Sequence, residues 1–130
     1  IGSDKSEVFL DLYRKKNKNI EVMKLDAVKM DINDKFDCIY SNKVLQHLTK
    51  NELKESFKNQ SNVLKNDGIL FHSFWYGNKQ EEYNGLLFLY YNENTIKQVY
   101  SRYFSLVKFG LYSEMEEKDS FFIILKKNRN

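Results

Sequence analysis

Apolar residues first recur at helical spacing at Val8, Phe9, Leu12 and Tyr13, behind Asp4-Lys5-Ser6-Glu7, which offers N-cap groups. A helix is expected over 6–16, ending in the basic cluster Arg14-Lys15-Lys16 and Asn17. Ile20 to Leu25 reads as a strand of mixed alternation, halted by Asp26-Ala27. Phe36 to Ser41 is a nearly continuous apolar run, the pattern of a strand covered on both faces. Thr49 and Glu52 stand three apart, as a capping box requires. Leu53, Phe57, Gln60 and Leu64 follow at helical spacing, with Val63 widening the stripe, so a helix is expected over 49–65. Asn66-Asp67-Gly68 stops it, since glycine tolerates the left-handed geometry beyond a helix end. Ile69 to Trp75 is another strand, whereas 77–89 reads as a polar loop followed by Gly85-Leu-Leu-Phe-Leu89 with no clear element. Asn92 is placed to cap a last helix over 93–102, and strands over 104–112 and 120–127 close the chain as a hairpin. Helices interleaved with strands in this order give an α/β fold.

Composition narrows the class. At 130 residues, 42% hydrophobic and 15% aromatic, the chain is one domain with ample material for a core, and its mean hydropathy of -0.64 implies a wet surface. No apolar run approaches the roughly 18–20 residues that span a bilayer, and no secretory leader is expected. The single cysteine, Cys38, cannot form an internal disulfide and is expected to pack as a small hydrophobe. One cysteine with two histidines argues against a zinc site, so no metal is expected, and a reducing cytoplasm fits best. Net charge is +3. The basic clusters at 14–18 and 126–129 sit at element ends, which argues against a nucleic-acid face.

One stretch carries the candidate chemistry. Phe36-Asp-Cys-Ile-Tyr-Ser-Asn-Lys43 breaks an apolar run on small polar residues, and Val44-Leu-Gln-His-Leu48 follows at once. Ligands in open α/β sheets sit outside the carboxyl ends of strands, which would put Ser41, Asn42 and Lys43 against one. Together with Asp4-Lys5-Ser6, Leu25-Asp26-Ala27 and Val63-Leu-Lys-Asn-Asp-Gly68, in that order, this phrase resembles the class I S-adenosylmethionine-dependent methyltransferases. The resemblance implies a truncated Rossmann-like sheet of three parallel strands plus a C-terminal antiparallel hairpin, with helices on both faces.

The resemblance also implies roles. Asp4 would accept hydrogen bonds from the ribose hydroxyls; Asp26 would take the adenine amino group and the Ala27 N–H a ring nitrogen. Ser41, Asn42 and Lys43 would face the S-adenosylmethionine, and 44–48 would close beneath its methionine end. His47 is the candidate general base, though a histidine at a helix start also packs against a sheet. Trp75, Tyr76 and Tyr91 are candidate walls for a small-molecule acceptor, by cation–π contact if it is an amine; as ordinary core and rim aromatics they read equally well. Asp4 has a second reading as an N-cap, Asp26 as a turn former. His72, mid-strand, reads as core.

The departure is that no Gly-x-Gly occurs. The family's first strand and its glycine-rich cofactor loop would lie ahead of residue 1. On that expectation the strand over 36–41 has an unpaired edge, relieved by homodimerisation, by direct pairing with 20–25, or by missing chain. The leading reading is a methyltransferase with an unidentified acceptor. The alternative is a non-catalytic methyltransferase-like scaffold or regulatory binding protein.

Overall fold

The computed structural model describes residues 1–129. Its elements are β1 (Gly2–Asp4), α1 (Glu7–Lys16), β2 (Val22–Lys24), β3 (Phe36–Asn42), a 3-10 turn Leu45–His47, α2 (Lys50–Val63), β4 (Leu64–Trp75), β5 (Gln80–Tyr83), β6 (Leu86–Leu89), α3 (Glu93–Tyr100), β7 (Phe104–Tyr112) and β8 (Ser120–Lys127). They form two unequal bodies and a small hairpin. β1 and β2 make a parallel pair, Gly2 opposite Val22 and Asp4 opposite Lys24. The main sheet runs β3-β4-β8-β7. β3 and β4 are parallel, while β8 is antiparallel to both β4 and β7. The chain is an α/β protein with a Rossmann-like parallel portion and the expected closing antiparallel hairpin.

Caps set the helix boundaries. Ser6 caps α1 by accepting the Phe9 N–H at 3.2 Å, and the expected capping box opens α2, with Thr49 and Glu52 bonding reciprocally. A second box, Asn92 with Thr95, opens α3. α2 and α3 cover one face of the main sheet. There Phe57, Leu70, Phe74, Ile96, Phe121, Ile123 and Leu125 are fully buried, and Phe121 stacks between Phe74 and Phe109.

The structure corrects five expectations. α2 ends at Val63, because Leu64 is already extended and begins β4. The left-handed residue is Asp67 (φ 63°), not Gly68, and it lies inside β4, where the register against β3 breaks between Leu64 and Ile69. Gly68 is needed for space instead, since a Cβ there would lie 2.8 Å from the Lys65 carbonyl oxygen and 3.0 Å from the Leu64 Cβ. The unassigned stretch 77–89 holds the β5–β6 hairpin, turned by Asn84 (φ 53°) and Gly85 (φ 78°) as a two-residue primed turn demands. β3 is not covered on both faces: Tyr40 is 78% accessible and Cys38 is exposed. Finally, β2 pairs with β1 and β3 with β4, so residues 20–25 and 36–41 do not pair directly.

The two bodies meet at α2. Ser56 Oγ donates to the Ala27 carbonyl at 2.5 Å and Asn59 Nδ2 to the Val28 carbonyl at 2.8 Å, pinning the segment after β2 to the helix that covers the main sheet. Between β1 and β3 the bodies leave an open cleft.

Candidate active site

The cleft is a cavity of about 540 Å³, within the few-hundred-Å³ range of cofactor and ligand sites. Gly2, Ser3, Met23, Leu25, Ala27 and Met30 line one wall, and Cys38 to Asn42, Leu45, Gln60 and His72 line the other. Three of the cofactor residues expected from sequence, Ala27, Ser41 and Asn42, therefore share one cavity.

A directed chain of hydrogen bonds crosses behind it. The Ser56 hydroxyl is spent on the Ala27 carbonyl, so it accepts from Gln60 Nε2 at 2.9 Å. That orientation leaves Gln60 Oε1 to accept from His72 Nε2–H at 2.7 Å. His72 is fully buried, and burial pushes its pKa down to about 3, so the ring is neutral. With Nε2 protonated, Nδ1 is the acceptor, and the Ser41 hydroxyl donates to it at 2.6 Å. The Ser41 oxygen thus presents only lone pairs to the cleft. Sequence alone placed His72 in the core but not in this relay, because its members come from α2, β3 and β4 and meet only in the fold.

The two acids stand beside the cleft rather than in its wall. Asp4 and Asp26 follow one another at the carboxyl ends of paired strands. Asp4 Oδ1 accepts the Ser6 N–H at 2.8 Å. Asp26 Oδ1 accepts the Val28 N–H at 2.8 Å, and Lys5 lies 3.8 Å from Oδ2. The Val28 bond holds the Asp26 carboxyl below its usual range against modest desolvation, so it is anionic at neutral pH.

The remaining candidates are dispersed. His47 is half-buried. Its Nδ1 donates to the Leu87 carbonyl at 2.8 Å, with the ring edge-on to Phe88, which leaves Nε2 as the acceptor in the neutral ring. Lys43 turns away from the cleft, and its ammonium lies 3.4 Å from the centre of the Trp75 ring. Tyr76 is exposed at the sheet end, edge-on to Phe121. Tyr91 lies in the core against Phe74 with its hydroxyl buried and, among the described residues, unpartnered, and burial raises its pKa to about 12. Gln46 Oε1 is likewise buried without a partner among the described residues, a feature sequence reasoning missed. Among the described residues no group of three or more His, Cys, Asp or Glu side chains could hold a metal.

Comparison with known proteins decides the family. The family model described as "Methyltransferase domain" matches residues 1–68, which hold β1, β2, β3 and the α2 segment that frame the cleft. The chain belongs to the methyltransferase-domain family. Solved structures carry the same fold over nearly the whole chain. A S-adenosylmethionine-dependent methyltransferase from Clostridium acetobutylicum superposes with a TM-score of 0.80 at 14% identity, over 98% of this chain and 74% of that one. A second, from Methanosarcina mazei, gives 0.81 at 14% identity over 97% and 80%. A glycopeptide N-methyltransferase bound to S-adenosyl-L-homocysteine gives 0.79 at 10% identity over 97% and 72%. No curated protein matches the chain in sequence. No helix of this methyltransferase domain, among the described residues, is long and apolar enough to cross a membrane.

Proposed function

We propose that this domain transfers a methyl group from S-adenosylmethionine to a small-molecule acceptor, with the cofactor in the cleft between β1 and β3. The observation that carries the reading is the cleft itself. It opens between two parallel strand pairs and collects Ala27, Ser41 and Asn42 on facing walls. S-adenosylmethionine supplies a methyl group on a sulfonium that is already activated, so the chain's residues have to bind, orient and exclude water more than they have to do acid–base work.

Asp4 and Asp26 would hold the adenosine by charge-assisted hydrogen bonds, and the Ala27 N–H would meet the base. Ser41, an obligate acceptor toward the cleft, suits a donor such as an ammonium or hydroxyl of the cofactor's methionine end or ribose. Asn42 joins it from the strand tip, where its Oδ1 takes the Ser73 hydroxyl at 2.5 Å and leaves its amide N–H groups for a ligand. His47 Nε2 is the base available to an acceptor that must lose a proton. Trp75 and Tyr76 would wall the acceptor. Two of the structural neighbours are N-methyltransferases, of a glycopeptide and NodS of Bradyrhizobium japonicum, which favours an amine.

Calorimetric titration with S-adenosyl-L-homocysteine tests this. Saturable binding weaker than micromolar is expected, because no Gly-x-Gly run is present to hold the methionine carboxylate. Absence of binding at millimolar ligand would overturn the reading in favour of a non-catalytic scaffold.

A further inference from the structure

Lys43 is held in an unusual way for a lysine at the end of a strand. Trp75, Ser120 and Tyr112 stand directly opposite one another on β4, β8 and β7, a single row across the sheet. The Lys43 ammonium lies over this row, 3.4 Å from the centre of the Trp75 ring and 5.4 Å from that of Tyr112. Its Nζ donates to Ser120 Oγ at 2.9 Å and is paired with the Glu114 carboxylate. Two aromatic faces, a carboxylate and a hydroxyl therefore surround one alkylammonium, and its side chain is only 10% accessible. This is the chemistry by which proteins recognise alkylammonium ligands: ring quadrupoles attract the cation, and the carboxylate completes the charge balance.

Two details mark the cage as separable from its occupant. Lys43 reaches it from a left-handed backbone (φ 56°), a conformation disfavoured for a lysine, fixed by its N–H bonding both the Ser73 carbonyl and hydroxyl. The cage walls do not depend on Lys43: three come from paired strands, and Glu114 lies in the 113–119 loop. Asp119 holds that loop by accepting the N–H groups of Glu114, Met115 and Glu116.

We propose that Trp75, Tyr112, Glu114 and Ser120 form a binding site for a small alkylammonium group, closed in this structure by the chain's own Lys43. The ligand displaces the lysine side chain and leaves the backbone in place. A nitrogen held there is a cation and has no lone pair to donate, so the cage grips the charged end of a ligand and not a reacting amine. That this ligand is the methyl acceptor rests on the methyltransferase reading above; the cage itself does not.

The protein's single tryptophan is part of the cage, so its fluorescence reports the site directly. Lys43→Gly removes the occupant and relieves the left-handed backbone, so the fold is expected to persist. Titrated with tetramethylammonium chloride against a sodium chloride control, Lys43→Gly should show a saturable change in Trp75 emission. The midpoint should be at least tenfold lower than in the parent protein, and the response should vanish in Lys43→Gly/Tyr112→Leu. Linear, non-saturating quenching in Lys43→Gly, or an unchanged response in the double variant, overturns the proposal. In the parent protein, tetramethylammonium should also increase acylation of Lys43 by an amine-reactive reagent, read by peptide mass spectrometry. Unchanged Lys43 labelling at saturating tetramethylammonium counts against the site even if the variant fails to fold. Calorimetry with S-adenosyl-L-homocysteine on the same samples tests the methyltransferase reading separately.

Discussion

The β1–α1–β2 unit and the main sheet are built from similar residues but end in different states. In the main sheet, apolar side chains from α2, α3, β4 and β8 converge, and seven of the larger ones named above have no accessible surface. In the N-terminal unit Leu10 is buried, but Val8, Phe9 and Leu12 are each more than half exposed on α1. The difference lies in partners, not composition. A helix on a two-stranded pair has one surface to bury against, whereas α2 has a sheet and α3. The cleft lies at the seam, so one wall is rigid and the other is tied down mainly by α2 through Ser56 and Asn59.

The contrast is broken most directly by truncating one core residue in each body. Phe57, fully buried and edge-on to both His72 and Phe104, should lose about 3–5 kcal/mol of global stability as Phe57→Ala. Leu10→Ala should barely move the denaturation midpoint of the main sheet. It should instead remove hydrogen-exchange protection from β1, α1 and β2, the behaviour of a unit that opens locally. Equal global losses in the two variants would show that the bodies unfold as one.

Much of the element order was visible in the chain, but the division into two bodies was not, and the cause in each case is specific. The α2 capping box and the closing hairpin were legible because their signals are local. The β5–β6 hairpin was not read: Asn84-Gly85 is a strong turn signal, but the acidic run before it masked the alternation. The exposure of β3 was not legible: an apolar run says that a strand can be covered, not that anything covers it. Of the candidate site, the strand-end positions Ala27, Ser41 and Asn42 could be read from the sequence. The relay through His72 could not, because no spacing connects residues 41, 56, 60 and 72.

That relay predicts a pH dependence belonging to the seam. An unfolded histidine titrates near 6.5, and in the folded chain His72 is held down to about 3 by burial. Between those values the unfolded state binds the extra proton, so His72's contribution is fully present above about pH 6.5 and is lost as pH falls toward 3. Each pH unit well inside the window removes up to about 1.4 kcal/mol. Urea midpoints at pH 5.0 to 6.5, above most carboxylate titrations, should fall more steeply for the parent protein than for His72→Gln. Parallel slopes would mean that the ring is accessible to protons in the native state.

On the looser wall, Asp26→Ala removes an anionic acceptor at the tip of β2. If Asp26 holds the adenosine, S-adenosyl-L-homocysteine binding should weaken by about 1.5–3 kcal/mol, roughly ten- to a hundredfold. The main-sheet denaturation midpoint should not move. Asp26→Asn keeps an acceptor for the Val28 N–H and separates turn geometry from charge. A loss of binding in Ala that Asn fully restores would assign Asp26 to the turn alone.

The smallest effect concerns the free edge of the rigid body. Cys38 is exposed on β3, whose second edge pairs with no strand among the described residues, and Tyr40 beside it is largely accessible. An unpaired edge of this length invites another strand. If a second copy of the chain is that partner, joined through β3, it occupies the cleft side of the strand and competes with a ligand there. Native-state labelling of Cys38 with a thiol reagent should be rapid at low micromolar protein and slow several-fold at high concentration, as the thiol becomes covered. Sedimentation at the same concentrations should show the matching monomer–dimer shift. Replacing Tyr40 with lysine puts a charge beside the edge and should abolish the concentration dependence of both readouts. Rapid labelling at every concentration would mean that β3 keeps its open edge in solution, and that the cleft wall it forms is accessible from both sides.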